Sequence, residues 1–189
     1  GPAGRFRAKL VLIFERPDRL RVELFAGLLG STQWTAVADK RGITVYFPKR
    51  REFLRETAVR DVVGELLGVA LVPRDFMALV SGAGVDVSGV KPATGFRFGD
   101  IIEIELSNGA RLVIDRVGQV REAEGVNYQV SYPTAWKRHG RRVPDQLRLT
   151  SDTISTTLTV IGMDINALID DEAFLLDIPD DAERLQLTQ

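Results

Sequence analysis

The residue types that carry most enzymatic chemistry are scarce in this sequence. Cysteine is absent and His139 is the single histidine, which excludes thiolate nucleophiles, zinc-finger and iron–sulfur ligand sets and most catalytic triads. His139 stands within the basic run 136–142, where neighbouring positive charge disfavours its protonation, and no second metal ligand accompanies it. This pattern favours a solvent-facing histidine.

The remaining candidates for chemistry lack the spacing that a reaction would need. The carboxylates of Asp170-Asp171-Glu172 are adjacent, as in a solvated loop, and no calcium-loop pattern appears. Gly82-Ala83-Gly84 is not a complete dinucleotide fingerprint, and Ser81 has no nucleophile elbow around it. The sequence therefore predicts a protein that is not an enzyme and that uses no cofactor and no metal ion.

Composition indicates a single globular domain over residues 1–189. Hydrophobic residues make up 44% of the chain, which is enough for a core. Lys+Arg number 25 against Asp+Glu 26, for a net charge of -1, so no global field attracts a polyanion and we expect no nucleic-acid partner. The longest apolar stretches, Leu10–Phe14 and Leu66–Val72, fall short of the roughly 20 residues that cross a bilayer.

Period-two alternation of apolar residues predicts strands through most of the chain. The segments 5–15 and 20–24 alternate in this way around the turn Arg16-Pro17-Asp18, so they form a long hairpin. Eight further strand segments are expected, giving about ten strands in all: 32–38, 43–47, 52–55, 101–106, 110–115, 126–132, 146–149 and 154–161. The Gly-, Ser- and Pro-rich stretch 81–99 is expected to be a surface connection.

Two short amphipathic helices interrupt the strands. In residues 57–68 apolar side chains recur at spacings of three and four, with Thr57 as cap and Gly68 at the end. A second helix begins at Pro73 and ends before Gly82. The predicted fold is therefore mainly β with inserted helices: a strongly curved antiparallel sheet, or incomplete β-barrel, lidded by short α-helices.

The concave side of such a sheet is either a filled core or an apolar ligand cavity, and the pattern does not separate the two. An acyl chain needs wide apolar walls, because each buried CH₂ group contributes about 0.8 kcal/mol without directional demands. The candidate wall residues are apolar side chains of the predicted strands and helices: Leu10, Leu12, Phe14, Val22, Leu24, Trp34, Val45, Phe47, Val59, Val62, Val63, Leu66, Phe76 and Leu79.

A pair of leucines stands at the reversal between two predicted strands. Leu28 and Leu29 lie between Gly27 and Gly30, in a loop where polar residues are usual. Either the leucines fold back onto the sheet, or they form an exposed apolar tip that touches a membrane or a partner protein.

The segment Leu29-Gly30-Ser31-Thr32 resembles a turn of the LolB family of outer-membrane lipoprotein receptors, within the LolA/LolB-like superfamily. Residues 61–73 resemble the two-helix insertion of that family. The resemblance covers residues 19–82, and the rest of the chain follows by strand pattern. It implies an incomplete antiparallel barrel lidded by helices, a cavity for the acyl chains of lipoproteins, and a membrane-inserting loop formed by Leu28 and Leu29.

The resemblance also implies partners and a location. The partners are acyl chains of lipoproteins or free lipid, a membrane surface and a periplasmic carrier protein. The location is the bacterial periplasm, with the full-length precursor anchored to the outer membrane by a segment ahead of residue 1. This chain departs from the family in having no cysteine for lipidation, and it has Leu28 where the family more often has proline.

A second hypothesis keeps the fold and fills its interior. The protein is then an envelope lipoprotein that acts as a structural or protein-interaction module. It presents either the leucine loop or the basic turn Trp136–Arg142 to a protein partner. Under this hypothesis acyl-chain length does not matter.

Overall fold

The computed structural model describes residues 7–27, 30–57, 62–63, 66, 68–69, 71–138, 141–152 and 154–186, with the backbone alone at 135–138 and 141–142. The chain divides into two compact units. The first consists of Gly1–Val62 and Leu168–Gln189, and the second of Val63–Ala167. The organisation as a single domain stays a prediction.

The first unit contains a six-stranded sheet in the order β1-β2-β3-β4-β5-β13. Its first five strands are consecutive and antiparallel, whereas β13 pairs with β5 in parallel. The strands are β1 (Lys9–Glu15), β2 (Arg19–Ala26), β3 (Ser31–Asp39), β4 (Gly42–Phe47), β5 (Glu52–Glu56) and β13 (Glu183–Arg184). The hairpin and meander that the sequence predicts for residues 9–56 are confirmed.

Strand register gives this sheet two chemically different faces, because successive side chains of a strand point to opposite sides. The first, which we call the leucine face, is largely apolar, with Glu52 and Glu56 of β5 at its margin. Its apolar residues are Leu10, Leu12, Phe14, Leu20, Val22, Leu24, Trp34, Ala36, Ala38, Ile43, Val45, Phe47 and Leu54. The second, the arginine face, includes Arg19, Arg21 and Glu23 of β2 and Arg55 of β5.

A C-terminal strap, residues 168–186, packs on the arginine face. It contains a short 3-10 helix, Asp171–Phe174, which buries Phe174 beneath the Arg19 guanidinium, 4.1 Å from the ring centroid. The Arg21 Nη1 atom donates hydrogen bonds to the carbonyl oxygens of Leu175 at 2.8 Å and Ala173 at 3.3 Å. The strap then ends beside β5 as strand β13. The part of the arginine face around β2 is thus covered by the protein's own chain.

We expect Arg21→Met to loosen the strap, because it removes charged donors from two strap carbonyls, at a cost of about 1 kcal/mol. Limited proteolysis should then cleave within residues 168–186 faster than in the wild type. The matched control is Arg55→Met on the same face, where the side chain donates to Thr44 alone among the described contacts. Equal cleavage rates in the two variants would contradict this role for Arg21.

The second unit contains a seven-stranded sheet in the order β12-β11-β10-β9-β8-β7-β6, in which every pair is antiparallel. The strands are β6 (Pro92–Phe98), β7 (Ile101–Leu106), β8 (Arg111–Asp115), β9 (Val120–Glu124), β10 (Gln129–Arg138), β11 (Arg141–Thr150) and β12 (Ser155–Thr159). Asn108-Gly109 forms the turn between β7 and β8, as predicted, with Gly109 at a φ of 82°.

Helix α1 (Pro73–Val80) packs within the second unit. Pro73 opens the helix, where its missing N–H costs nothing, and the run from Phe76 to Val80 is buried. The Tyr132 hydroxyl of β10 donates a 2.8 Å hydrogen bond to the Leu79 carbonyl. After the helix, Gly84 at a φ of +83° lies directly against the sheet. The helix predicted from Pro73 to before Gly82 is confirmed.

The fold class is confirmed in its coarse form, since the chain is mainly β and nearly all strand pairs are antiparallel. The single curved sheet is wrong for the described residues, whose strands form two sheets with open edges. Breaks in strand pairing, such as the one after β5, are not encoded in the alternation of any single strand. Lidding by the helices stays a prediction.

The prediction that residues 81–99 form only a surface connection is also wrong, because β6 occupies Pro92–Phe98. Pro92 and Gly95 are typical of turns, so the sequence did not predict a strand here. All seven residues of β6 are exposed, so no burial pattern marked the strand. Strand β9 was likewise not predicted, since Arg121, Glu122 and Glu124 break its apolar alternation.

Candidate functional site

The leucine face of the first unit carries the strand residues that the sequence predicts to bind a ligand. A row of five apolar side chains crosses it from strand to strand: Leu12 opposes Val22, Val22 opposes Ala36, Ala36 opposes Val45, and Val45 opposes Leu54. Leu10, Leu24 and Trp34 form a neighbouring row. The register thus brings together all eight strand residues that were predicted as cavity walls.

Burial on the leucine face falls toward the edge strand and toward one end of the sheet. Val22, Trp34 and Val45 are buried. The other predicted strand residues are half-buried: Leu10, Leu12, Phe14, Leu24 and Phe47. The accessible apolar surface of this face therefore lies on β1 and around Leu24 and Phe47.

Small side chains on β3 leave a shallow depression in the leucine face. Ala36 and Ala38 stand between larger residues of β2 and β4, and both are buried. The predicted site residues did not include these two alanines, nor Leu20, Ile43 and Leu54 of the same face. The signal was present, since each continues the period-two pattern of a strand that was predicted.

Two glutamates of β5, Glu52 and Glu56, lie at the rim of the leucine face. Glu52 Oε2 on β5 is buried and lies 3.0 Å from the Arg50 Nε atom. The Arg50 guanidinium also lies 4.6 Å from the centroid of the Phe47 ring. Glu52 Oε2 thus has an ion pair but no hydrogen bond among the described residues, so β5 forms the polar margin of the leucine face.

The predicted helix residues are divided between the two units. Val62 belongs to the first unit, whereas Val63, Leu66, Phe76 and Leu79 belong to the second. All are helical, and all are buried except Leu66, which is half-buried. Val59 and the loop residues Leu28 and Leu29 lie outside the described residues, so their predicted roles stay predictions.

The described residues offer little for other kinds of chemistry. Within them no group of three or more acidic or histidine side chains is placed to hold a metal ion. Burial raises the pKa of both Tyr128 and Tyr132, so neither phenol is ionised near neutral pH. His139 and Gly140, in the basic turn, lie outside the described residues.

No described helix is both long and apolar enough to span a membrane. No family model matches the chain, and no curated protein matches it in sequence. The resemblance to the LolB family therefore stays a prediction, and the leucine face itself is the feature from which a function is inferred.

Proposed function

We propose that this protein binds acyl chains of lipoproteins or free lipid on the leucine face and transfers them to a membrane. The observation that carries the proposal is the apolar row Leu12–Val22–Ala36–Val45–Leu54, which runs unbroken across five strands. Contact with such a surface suits a ligand without directional groups, because affinity scales with the apolar area removed from water.

The half-buried residues indicate where a chain would enter. Leu10, Leu12 and Phe14 lie on the edge strand β1, and Leu24 lies beside them on β2. Partial exposure leaves apolar surface that a ligand would cover, whereas Val22 and Val45 are already buried by protein. An acyl chain would therefore bind from the β1 side.

The proposal includes a setting and partners. The protein would act in the bacterial envelope, facing the periplasm and anchored to the outer membrane in its precursor. It would receive cargo from a periplasmic carrier protein and release it through a membrane-inserting loop at Leu28 and Leu29. No reaction and no cofactor is required, since transfer between apolar surfaces supplies the free energy.

A second candidate function is a protein-interaction module with a packed interior. The observation that favours it is the burial of Val22, Trp34 and Val45, which shows that part of the leucine face already serves as core. The half-buried leucines of β1 would then contact a protein partner. Acyl-chain length would have no effect on such a contact.

Displacement of an apolar fluorescent probe tests the proposal. A triacylated lipopeptide should displace the bound probe, and the same peptide without acyl chains should not. Shorter acyl chains should displace the probe less well, because each CH₂ group removed costs about 0.8 kcal/mol of burial. Failure of the probe to bind, or equal displacement by both peptides, would overturn acyl binding and favour the interaction module.

A further inference from the structure

The second unit carries an exposed apolar tip at one end of its sheet. We define the hairpin tip as Phe96 and Phe98 of β6, Ile101 of β7 and Val117 in the turn after β8. Their exposed fractions are 58%, 67%, 45% and 55%. Single exposed apolar residues are ordinary on a protein surface, but a cluster marks an interaction site.

Register places these four side chains at the same end of the sheet. Phe98 lies directly opposite Ile101, and Phe96 is two residues earlier on the same face of β6. Ile101 in turn lies opposite Asp115, where β8 ends, so the turn that holds Val117 is adjacent. An ion pair of 3.7 Å between Arg116 and Asp100 joins the two turns.

The hairpin tip lies beyond the part of the sheet that the unit covers with its own chain. Helix α1 is held to β10 by Tyr132, and Gly84 lies against Leu112 of β8 and Ala123 of β9. By contrast, every residue of β6 is exposed. The tip thus protrudes as two adjacent turns rather than lining a groove.

Charge around the hairpin tip favours an anionic surface. Four arginines, Arg97, Arg111, Arg116 and Arg121, stand around the tip against three carboxylates, those of Asp100, Asp115 and Glu103, which lies opposite Phe96. Glu103 pairs with Arg111 at 3.1 Å. Arg116 pairs with Asp100 and Arg121 with Asp115 at 2.8 Å. Arg97 donates to the Gly99 carbonyl and, among the described residues, has no carboxylate partner. An uncompensated positive charge therefore accompanies the apolar side chains.

We propose that the hairpin tip inserts into the interface of a membrane that contains anionic lipid. A protruding turn with two phenylalanines buries apolar surface in the acyl boundary without needing a shaped partner, and arginine beside it meets lipid phosphate. This membrane contact is separate from the leucine face and from the loop at Leu28 and Leu29. It stands whether or not the protein takes up acyl chains.

Vesicle co-sedimentation tests the hairpin tip. The full chain should bind vesicles of phosphatidylethanolamine with phosphatidylglycerol more tightly than vesicles of phosphatidylcholine. The double variant F96S/F98S should lower partitioning by at least about tenfold, since two exposed phenylalanines lose their burial in lipid. The matched control is I161S/L168S, which removes two exposed apolar residues outside the tip and should leave partitioning unchanged.

A second variant tests the contribution of the Arg97 charge. A second measurement tests whether the tip instead binds another copy of this chain. Arg97→Gln should reduce binding to the anionic vesicles and leave binding to phosphatidylcholine unchanged. The proposal is overturned if wild type and F96S/F98S partition equally. It is also overturned if sedimentation velocity shows a wild-type dimer that F96S/F98S abolishes while vesicle binding is absent, because the tip is then an interface between copies.

Discussion

Leu12→Gln is expected to weaken binding of a triacylated lipopeptide about tenfold, because it places an amide without a hydrogen-bond partner against the acyl chain. Leu12 is half-buried on edge strand β1 and begins the apolar row of the leucine face. Its position at the edge lets the fold tolerate a polar side chain. The measurement is the apparent dissociation constant from displacement of an apolar probe.

Val11→Gln is the matched control for Leu12→Gln. Val11 is the neighbouring residue on the same strand, is also half-buried, and points to the opposite face, opposite Glu23. The two variants should have similar unfolding midpoints, because each places the same amide on the edge strand. If both weaken binding equally, or neither does, the leucine face is not where the acyl chain binds.

Gly84→Ala is expected to lower the free energy of unfolding of the second unit by about 3 kcal/mol, since it adds a steric clash to a strained backbone. Gly84 has a φ of +83°, and a Cβ atom there would lie 2.6 Å from the Ala123 Cβ and 3.1 Å from the Leu112 Cδ2. Both neighbours are buried, so neither has room to move. Chemical denaturation followed by circular dichroism measures the change.

Gly118→Ala separates the clash at Gly84 from backbone strain. Gly118 has nearly the same backbone angle, a φ of +79°, but nothing lies within 4 Å of the position of its Cβ. We therefore expect a loss of only about 1 kcal/mol, from strain alone. Equal losses at Gly84 and Gly118 would mean that the turn after α1 does not pack against the sheet as described.

The meander of the first unit was predictable from sequence because β2 alternates clearly and turn residues separate the strands. Leu20, Val22 and Leu24 are separated by charged residues, so period, face and hairpin follow from β2 alone. The eight predicted strand residues of the site share one face for the same reason. The sequence does not predict which of these eight residues are buried. Burial depends on what packs against the face, and strand alternation carries no information about that.

The C-terminal strap could not be predicted because its contacts are made at long range and largely through backbone atoms. Arg21 binds the carbonyl oxygens of Ala173 and Leu175, which any residue type would offer. The segment 174–179 contains apolar residues, but it shows no period that would indicate where it docks. The anchors of the strap, which are the burial of Phe174, the Arg21 hydrogen bonds and the pairing of β13 with β5, are visible only in the structure.

The hairpin tip was hidden for the opposite reason. Phe96 and Phe98 alternate with Gly95 and Arg97, which is a strand period, but Pro92 and the surrounding glycines dominated the interpretation. An exposed strand buries neither of its faces in the core. The two phenylalanines of β6 therefore did not belong to a longer apolar pattern that would predict a strand. The structure shows them as neighbours at one end of a sheet.

Photocrosslinking with a lipopeptide whose acyl chain carries a diazirine tests the central claim most directly. After irradiation, mass spectrometry identifies the residues that carry the acyl adduct. The account predicts adducts on leucine-face residues of β1 and β2, foremost Leu10, Leu12 and Leu24, competed away by unlabelled triacylated peptide. Adducts confined to the arginine face or to the second unit, or adducts that competitor does not reduce, would contradict it.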